Sequence, residues 1–533
     1  MKRLKLNQIY FGKIDGYNEF LEYGVQKCQE IFFEFPDISV NSFIIGSKYY
    51  LLGNKGTGKT MFLKYIESKL HELHHGTLFV RFKHDMGEEE KNQIKRASLG
   101  NNFENEIIDK NTVNPGEVNC ILAWEIYLIK KIIFYCHENE NSILNPESEE
   151  LNDLYKILCS LYGENQKKNF FARIIPKIKH GLVTLSANPK IDLDLEWDNK
   201  EKREIQFYKV AKSIISTYKK LHIKFEGDKR FYLLIDELEL SMQKNKQYDR
   251  DIVLIRDLIF AIENLSDINR TNKFPIIILA AIRNEVYKSM LSIGMEINKP
   301  ISDFGEIISW EQKGGNIENH PLLKMIEKRI YVSEKNQNIN SDIKEIWDRY
   351  FTPKVHNDVD IKNYILDLTW LKPRDLIRLF NLIQKKYGER EFIDQECFDG
   401  VMHDYAKESW REFSEVLSAK YSTTDIEAIK TTLTSIAIPF DVARFRNFGL
   451  EKQNLYSNVK ALFEKHQAGD ILKDLYSIGI VGNYGRNKRF VFKGADDFEP
   501  TQPITLHRPL VRFFQANIIK GFQHVESGTA NLI

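Results

Sequence analysis

Apolar residues follow two different rhythms along the chain, and the change between them outlines the expected architecture. Residues 48–52 (KYYLL), 77–82 (TLFVRF), 230–237 (RFYLLIDE) and 274–281 (FPIIILAA) are short, nearly continuous apolar runs. Runs of this length without polar alternation read as strands buried on both faces, as in a parallel sheet. Helical spacing separates them. Residues 61–73 place Phe62, Leu63, Ile66 and Leu70 on one side of a helix, residues 118–135 form a strongly apolar core helix, and residues 202–224 read as another helix. Strands alternating with helices predict an α/β fold with a parallel sheet covered on both faces.

The second half reads as helical from about 305 to 400, with Leu376-Ile377, Leu379-Phe380 and Leu382-Ile383 suiting an amphipathic or largely buried helix. Beyond about 410 come helical pieces, an apolar stretch at 478–481, a polar turn and a strand at 489–492. Helix, strand, basic turn, strand is the layout of a winged helix. Residues 84–117 are polar, with Gly and Pro, and read as a loop. The expected domains are an α/β core over 1–300 with a helical insertion near 137–205, a helical lid over 301–405, a winged helix over 406–515 and a tail over 516–533.

Chemistry enters between the first strand and the first helix. Gly53-Asn54-Lys55-Gly56-Thr57-Gly58-Lys59-Thr60 has the GxxxxGKT spacing of a phosphate-binding P-loop, and Met61 opens the helix beyond it. Glycines let successive N–H groups turn inward around phosphates, and the helix points its positive end at the same anion. Lys59 is expected to contact the β- and γ-phosphates, and the Thr60 hydroxyl to ligate Mg²⁺. Asp236, ending a buried strand, suits a second Mg²⁺ contact; Glu237 beside it suits the base that polarises an attacking water. After the strand at 274–281, Arg283 or Asn284 can sense the γ-phosphate; the alternative is a charge cluster at a helix start. In Trp370-Leu371-Lys372-Pro373-Arg374-Asp375, Pro373 suits the start of a helix from which Arg374 would reach a nucleotide. The alternative there is an Arg–acid pair on the lid surface. Arg486, Lys488 and Arg489 place three cations on the wing turn, where they can meet DNA phosphates or simply be solvated. His507 reads as structural.

Composition narrows this little. Lys and Arg number 76 against 75 Asp and Glu, a net charge of +1, so any nucleic-acid surface is a local patch. The five cysteines, Cys28, Cys120, Cys136, Cys159 and Cys397, form no CxxC pair and read as free thiols in a reducing cytosol. The polar start lacks a signal peptide's apolar segment, and no apolar run reaches the ~18 residues of a membrane helix. A cytoplasmic chain without a membrane partner is expected.

Taken in order, KGTGKT, LLIDELEL, IIILAAIRNEV, WLKPRDLIRLFN, LYSIGIVGNY and ITLHRPL resemble a family of bacterial P-loop ATPases related to AAA+ and STAND ATPases. The resemblance covers roughly residues 10–85, 115–135, 228–395 and 405–515. It implies an ATPase core, a helical lid and a C-terminal winged-helix region. It sets Arg374 at the position resembling sensor 2, and Arg283 where STAND-like proteins carry a sensor arginine. It also implies a place in prokaryotic antiphage defence, as a homo-oligomer or beside an effector protein. No arginine finger stands out; Arg329 in Glu327-Lys328-Arg329 is one candidate.

Three functions follow as expectations. The first is a switch driven by binding and hydrolysis of ATP with Mg²⁺. ATP is favoured over GTP because no NKxD-type guanine-reading motif stands out. The second is an ATP-dependent DNA-binding protein similar to origin-binding or DNA-loading AAA+ proteins, with the wing cations and Lys167, Lys168, Arg173, Lys177 and Lys179 as contacts. The third is a nucleotide-gated protein scaffold with slow turnover.

Overall fold

The computed structural model describes residues 3–35, 37–86, 91, 94, 120–139, 143–145, 147–162, 210–224, 227–238, 245–292, 297–311, 316–356, 358–418, 420–434, 436–485, 490–492 and 498–519. The chain forms two compact units: Glu34–Ser241 with Lys246–Ser309, and Met1–Phe33 with Met242–Asn245 and Trp310–Ile533.

The first unit is an α/β layer built on five parallel strands: β1 (Tyr50–Gly53), β2 (Gly76–Arg81), β3 (Phe231–Leu238), β4 (Ile276–Arg283) and β5 (Gly305–Ile307). Their order in the sheet is β2-β3-β4-β1-β5. All four residues of β1 and all but one residue each of β3 and β4 are buried, whereas β2, at one edge, is mostly half-buried. That is why the central strands carry continuous apolar runs: helices cover both faces. The helix Lys59–Glu72 follows β1 and buries Phe62, Leu63, Ile66 and Leu70, the four positions expected to face inward. The helices Ile121–Glu138 and Asn245–Thr271 complete the cover. The chain leaves β1 for the far edge at β2, then winds back through β3 and β4 to β5, so the connections leaving the neighbours β1 and β4 run in opposite directions. Such a reversal opens a crevice at the carboxyl ends of the strands.

β5 departs from the sequence reading, which was helical from about 305. Gly305, Glu306 and Ile307 pair in parallel with Tyr50, Leu51 and Leu52. Three residues carry no periodic pattern of their own; the pairing with β1 makes them a strand.

The second unit is mainly helical. Its long helices are Pro321–Asn336, Pro373–Tyr387 and Gln395–Leu417. Residues 1–33, grouped with the sheet core on sequence, pack here. Leu6 N donates to Arg390 O at 2.7 Å, Asn7 N to Gly388 O at 2.9 Å and Leu4 N to the Tyr350 hydroxyl at 2.9 Å. The boundary expected at 405/406 falls inside the helix Gln395–Leu417, where Tyr405, Ala406, Ser409 and Trp410 are all buried. The rest of the unit comprises the helices Thr423–Leu433, Val442–Lys452, Ser457–Lys465, Ala468–Ser477 and Arg508–Ile519 and a three-stranded antiparallel sheet. That sheet has Val481–Tyr484 between Ile504–Leu506 and Phe490–Val491. Among the described residues no helix is long and apolar enough to cross a membrane.

Candidate functional site

The residues singled out in the first unit gather at the carboxyl ends of β1, β4 and β3, three neighbouring strands. Adjacent strands lie about 4.8 Å apart, so the ends of β1 and β3, on either side of β4, are roughly 10 Å from each other.

From β1 the chain enters the glycine loop. Gly56 and Gly58 hold φ of +84° and +92°, a left-handed backbone that other residues adopt at a cost. At Gly53 the demand is for space, since a Cβ there would lie 2.6 Å from Thr57 Oγ1. The loop is internally bonded: Thr57 Oγ1 donates to Asn54 O at 2.9 Å, and Lys59 Nζ donates to Gly53 O and Asn54 O at 2.8 and 2.9 Å. The helix Lys59–Glu72 begins after Gly58 with no side-chain cap, so the N–H groups of its first turn face the loop. Thr60 lies in that turn. Met61 is 8% exposed and points into the core, leaving only its backbone N–H to serve a ligand.

β4 runs beside β1, with Arg283 paired in register with Gly53. Arg283 ends the strand, buried, 3.6 Å from Glu285. Asn284 opens the next helix, and its Nδ2 donates to Asn54 Oδ1 at 3.0 Å. Asn284 thus bonds a side chain of the glycine loop, while Arg283 pairs with Gly53 at the loop's start.

On β3, Asp236 is 2% exposed and lies in register with Arg81 of β2. The pairing with β4 shifts between Ile235 and Leu238, which makes a bulge of Asp236 and Glu237. Glu237 has φ +58°. A left-handed glutamate within a strand is strained by about 1–3 kcal/mol, and a bulge re-aims the side chain it carries. The re-aimed carboxylate meets His84: Nδ1 lies 2.5 Å from Glu237 Oε2. His84 belongs to the short helix Phe82–Asp85 that follows β2. Sequence reasoning missed this residue. It stands in a polar stretch with no motif, and only the β2–β3 pairing brings it to Glu237.

Arg374 belongs to the second unit, one residue into the helix Pro373–Tyr387. Its Nη1 donates to Glu412 Oε1 at 2.9 Å, the Arg–acid pair expected as the alternative. The other oxygen of Glu412 accepts from Arg378, which also holds Asp375 at 2.9 Å. Burial pushes the Asp375 carboxyl up to about 6, against the pull of Lys372 and Arg378. Arg329 does not behave as a finger. It is 3% exposed and donates to Phe11 O at 2.8 Å and Glu19 Oε1 at 2.7 Å, deep in the second unit.

The wing cations Arg486, Lys488 and Arg489, and the basic positions Lys167, Lys168, Arg173, Lys177 and Lys179, lie outside the described residues. The helix before the antiparallel hairpin, Ala468–Ser477, presents Asp470 and Lys473 to solvent; Asp474 bonds Lys420 at 2.7 Å and the Tyr421 hydroxyl at 2.5 Å. His507 is buried and stacks on Trp370 with ring centroids 4.1 Å apart, a structural placement as expected.

The family model for a FunZ-associated C-terminal helical domain matches residues 320–414. The match covers the helices Pro321–Asn336 and Pro373–Tyr387 and most of Gln395–Leu417, and includes both Arg374 and Glu412. No curated protein matches the chain.

Proposed function

We propose that the chain is a P-loop ATPase of the AAA+/STAND kind that binds ATP with Mg²⁺, hydrolyses it and uses the cycle as a conformational switch. One observation carries the reading: the glycine loop, Asn284 and the Asp236–Glu237 bulge converge at the carboxyl ends of three adjacent parallel strands, with Asn284 bonded to the loop itself.

The residues suit the ligands. The loop offers left-handed glycines, inward N–H groups and an uncapped helix start, the elements of an anion cradle. Lys59 rests on two neutral carbonyls and would exchange them for phosphate oxygens, a stronger charge-assisted bond. Thr60 and Asp236 supply hard oxygen donors, the kind Mg²⁺ takes. Mg²⁺ held by Thr60 and Asp236 would supply electrostatic stabilisation of the charge that develops on the phosphate. Glu237 accepts the proton of the attacking water, and His84 fixes which way its carboxylate faces. Asn284, with Arg283 beside it, reads the γ-phosphate.

Mutation separates the steps. Lys59→Ala should abolish MgATP binding in calorimetry. Glu237→Gln should bind MgATP and release no phosphate. MgATP binding by Lys59→Ala at wild-type affinity would end the proposal; wild-type turnover by Glu237→Gln would remove only the assigned base.

The output belongs to a partner, an effector protein or further copies of the chain. A role in antiphage defence rests on the motif resemblance, with the FunZ-associated helical-domain match beside it. We read the last helices and the antiparallel sheet as a winged helix used for protein docking. The helix Ala468–Ser477 exposes one acid, Asp470, and one cation, Lys473, and pairs Asp474 with Lys420, so it offers no net positive face to a phosphate backbone. Duplex binding that weakens steeply with salt would restore the DNA-binding reading.

A further inference from the structure

The turn that leads into the helix Pro373–Tyr387 is folded against its own preferences. Trp370 has φ +39° and Leu371 φ +49°, so two consecutive bulky residues hold a left-handed backbone. In that region the Cβ crowds the neighbouring carbonyl, and Gly or Asn is the usual occupant. Such a conformation persists only where its surroundings over-determine it.

Here the surroundings form one socket. Trp370 Nε1 donates to Gly479 O at 2.7 Å. The indole stacks on His507 at 4.1 Å and meets Phe413 edge-on at 5.1 Å. Gly479 has φ +86°, and a Cβ on it would lie 2.7 Å from Trp370 Cδ1, so the socket admits the indole only because residue 479 is glycine. His507 Nδ1 is buried with no hydrogen-bond partner among the described residues. The ring therefore serves the stack and not a polar network, and burial, with Lys372 and Arg508 nearby, lowers its pKa to about 3.

The other end of the turn leads to Arg374. Its side chain is 24% exposed and is held by one oxygen of Glu412, whereas Arg378, 6% exposed, is held by both Asp375 and Glu412. Arg374 is thus the more weakly tethered arginine of the cluster.

We propose that residues 369–372 are a two-state hinge latched by Trp370, whose seating in the Gly479–His507 socket decides whether Arg374 stays on Glu412. Seated, the indole forces the turn left-handed and presents Arg374 to Glu412. Withdrawn, it lets Trp370 and Leu371 relax to ordinary backbone angles and frees Arg374 for an anionic ligand. The latch stands on this unit's own geometry; its link to nucleotide rests on the ATPase reading above.

Hydrogen exchange on the full-length chain tests both parts. Trp370→Ala and Gly479→Ala should speed exchange of amides 369–376 at least tenfold, while amides 231–238 of β3 keep the wild-type rate. Trp370→Phe, which keeps a ring but loses the N–H donor, should fall between. If Trp370→Ala also exposes β3, Gly479→Ala and Trp370→Phe decide the matter. Wild-type exchange in the turn of both would overturn the latch. The second arm adds Mg²⁺ with ATPγS to the wild type and to Lys59→Ala. Faster exchange at 369–376 in the wild type alone supports the coupling. Protection of the glycine loop without change in the turn overturns the coupling and leaves the ATPase reading standing. No protection of the loop overturns the ATPase reading and leaves the latch standing.

Discussion

His84 and Glu237 meet across 153 positions of sequence, with Nδ1 2.5 Å from Oε2, and Glu237 takes a left-handed backbone angle of +58° to do so. Strain of this kind in a strand end that also carries a buried aspartate is concentrated where a side chain must point one way. As a carboxylate accepts, the ring nitrogen donates. That bond orients the Glu237 carboxylate.

If Glu237 is the base of the proposed ATPase, whose own loss costs about 10²–10⁴, His84→Ala should lower kcat about tenfold while leaving the Kd for MgATP unchanged. His84→Gln, which can still donate, should recover part of the rate. Steady-state phosphate release checks this, and equal kcat in His84→Ala and wild type would leave the pair with no catalytic part.

Asn284→Ala removes one neutral hydrogen bond to Asn54, worth about 1 kcal/mol, or roughly fivefold in affinity. If Asn284 reads the terminal phosphate, the loss should fall on ATP and spare ADP. Calorimetry with both nucleotides separates this from general loosening of the loop, which would weaken both alike.

The Arg329–Glu19 pair is buried, at 4% and 2% side-chain exposure. Removing one partner of such a pair leaves an uncompensated charge and costs about 3–5 kcal/mol. Arg329→Ala should show that loss in denaturant unfolding. A finger reaching into a neighbouring site would instead reduce turnover at unchanged stability.

His507 makes the helical unit sensitive to acid. Its folded pKa, about 3, lies below the unfolded 6.5, so between these values the unfolded chain binds the extra proton. The stability this group confers is complete above about pH 6.5 and is lost as pH falls toward 3. Asp375 acts in the opposite sense: raised from 3.8 to about 6, it favours the folded state as pH falls. The contribution of His507 is therefore a Tm that falls as pH drops below 6.5, and Asp375 opposes it. His507→Phe keeps the stack on Trp370 and should flatten that fall; an unchanged slope would remove His507 as its source.

Much of the site was legible in the sequence because its parts are local. GxxxxGKT is contiguous, and the acids that end β3 follow a run of apolar residues that only a buried strand explains. The four inward positions of the helix Lys59–Glu72 follow from its 3.6-residue period. The sequence by itself thus determined that an α/β sheet exists, where its central strands lie and which loop and acids end them.

The tertiary structure decided everything that depends on contacts between distant positions. Strand order set Asn284 between the glycine loop and the acids. The three-residue β5 exists only through pairing with β1. Glu19 claimed Arg329 across 310 positions, and residues 1–33 joined the helical unit through backbone bonds to 388 and 390. Trp370 found its socket 109 positions away. None of these leaves a periodic trace, since a hydrogen bond or a stack fixes where two side chains meet and not which residues lie between them.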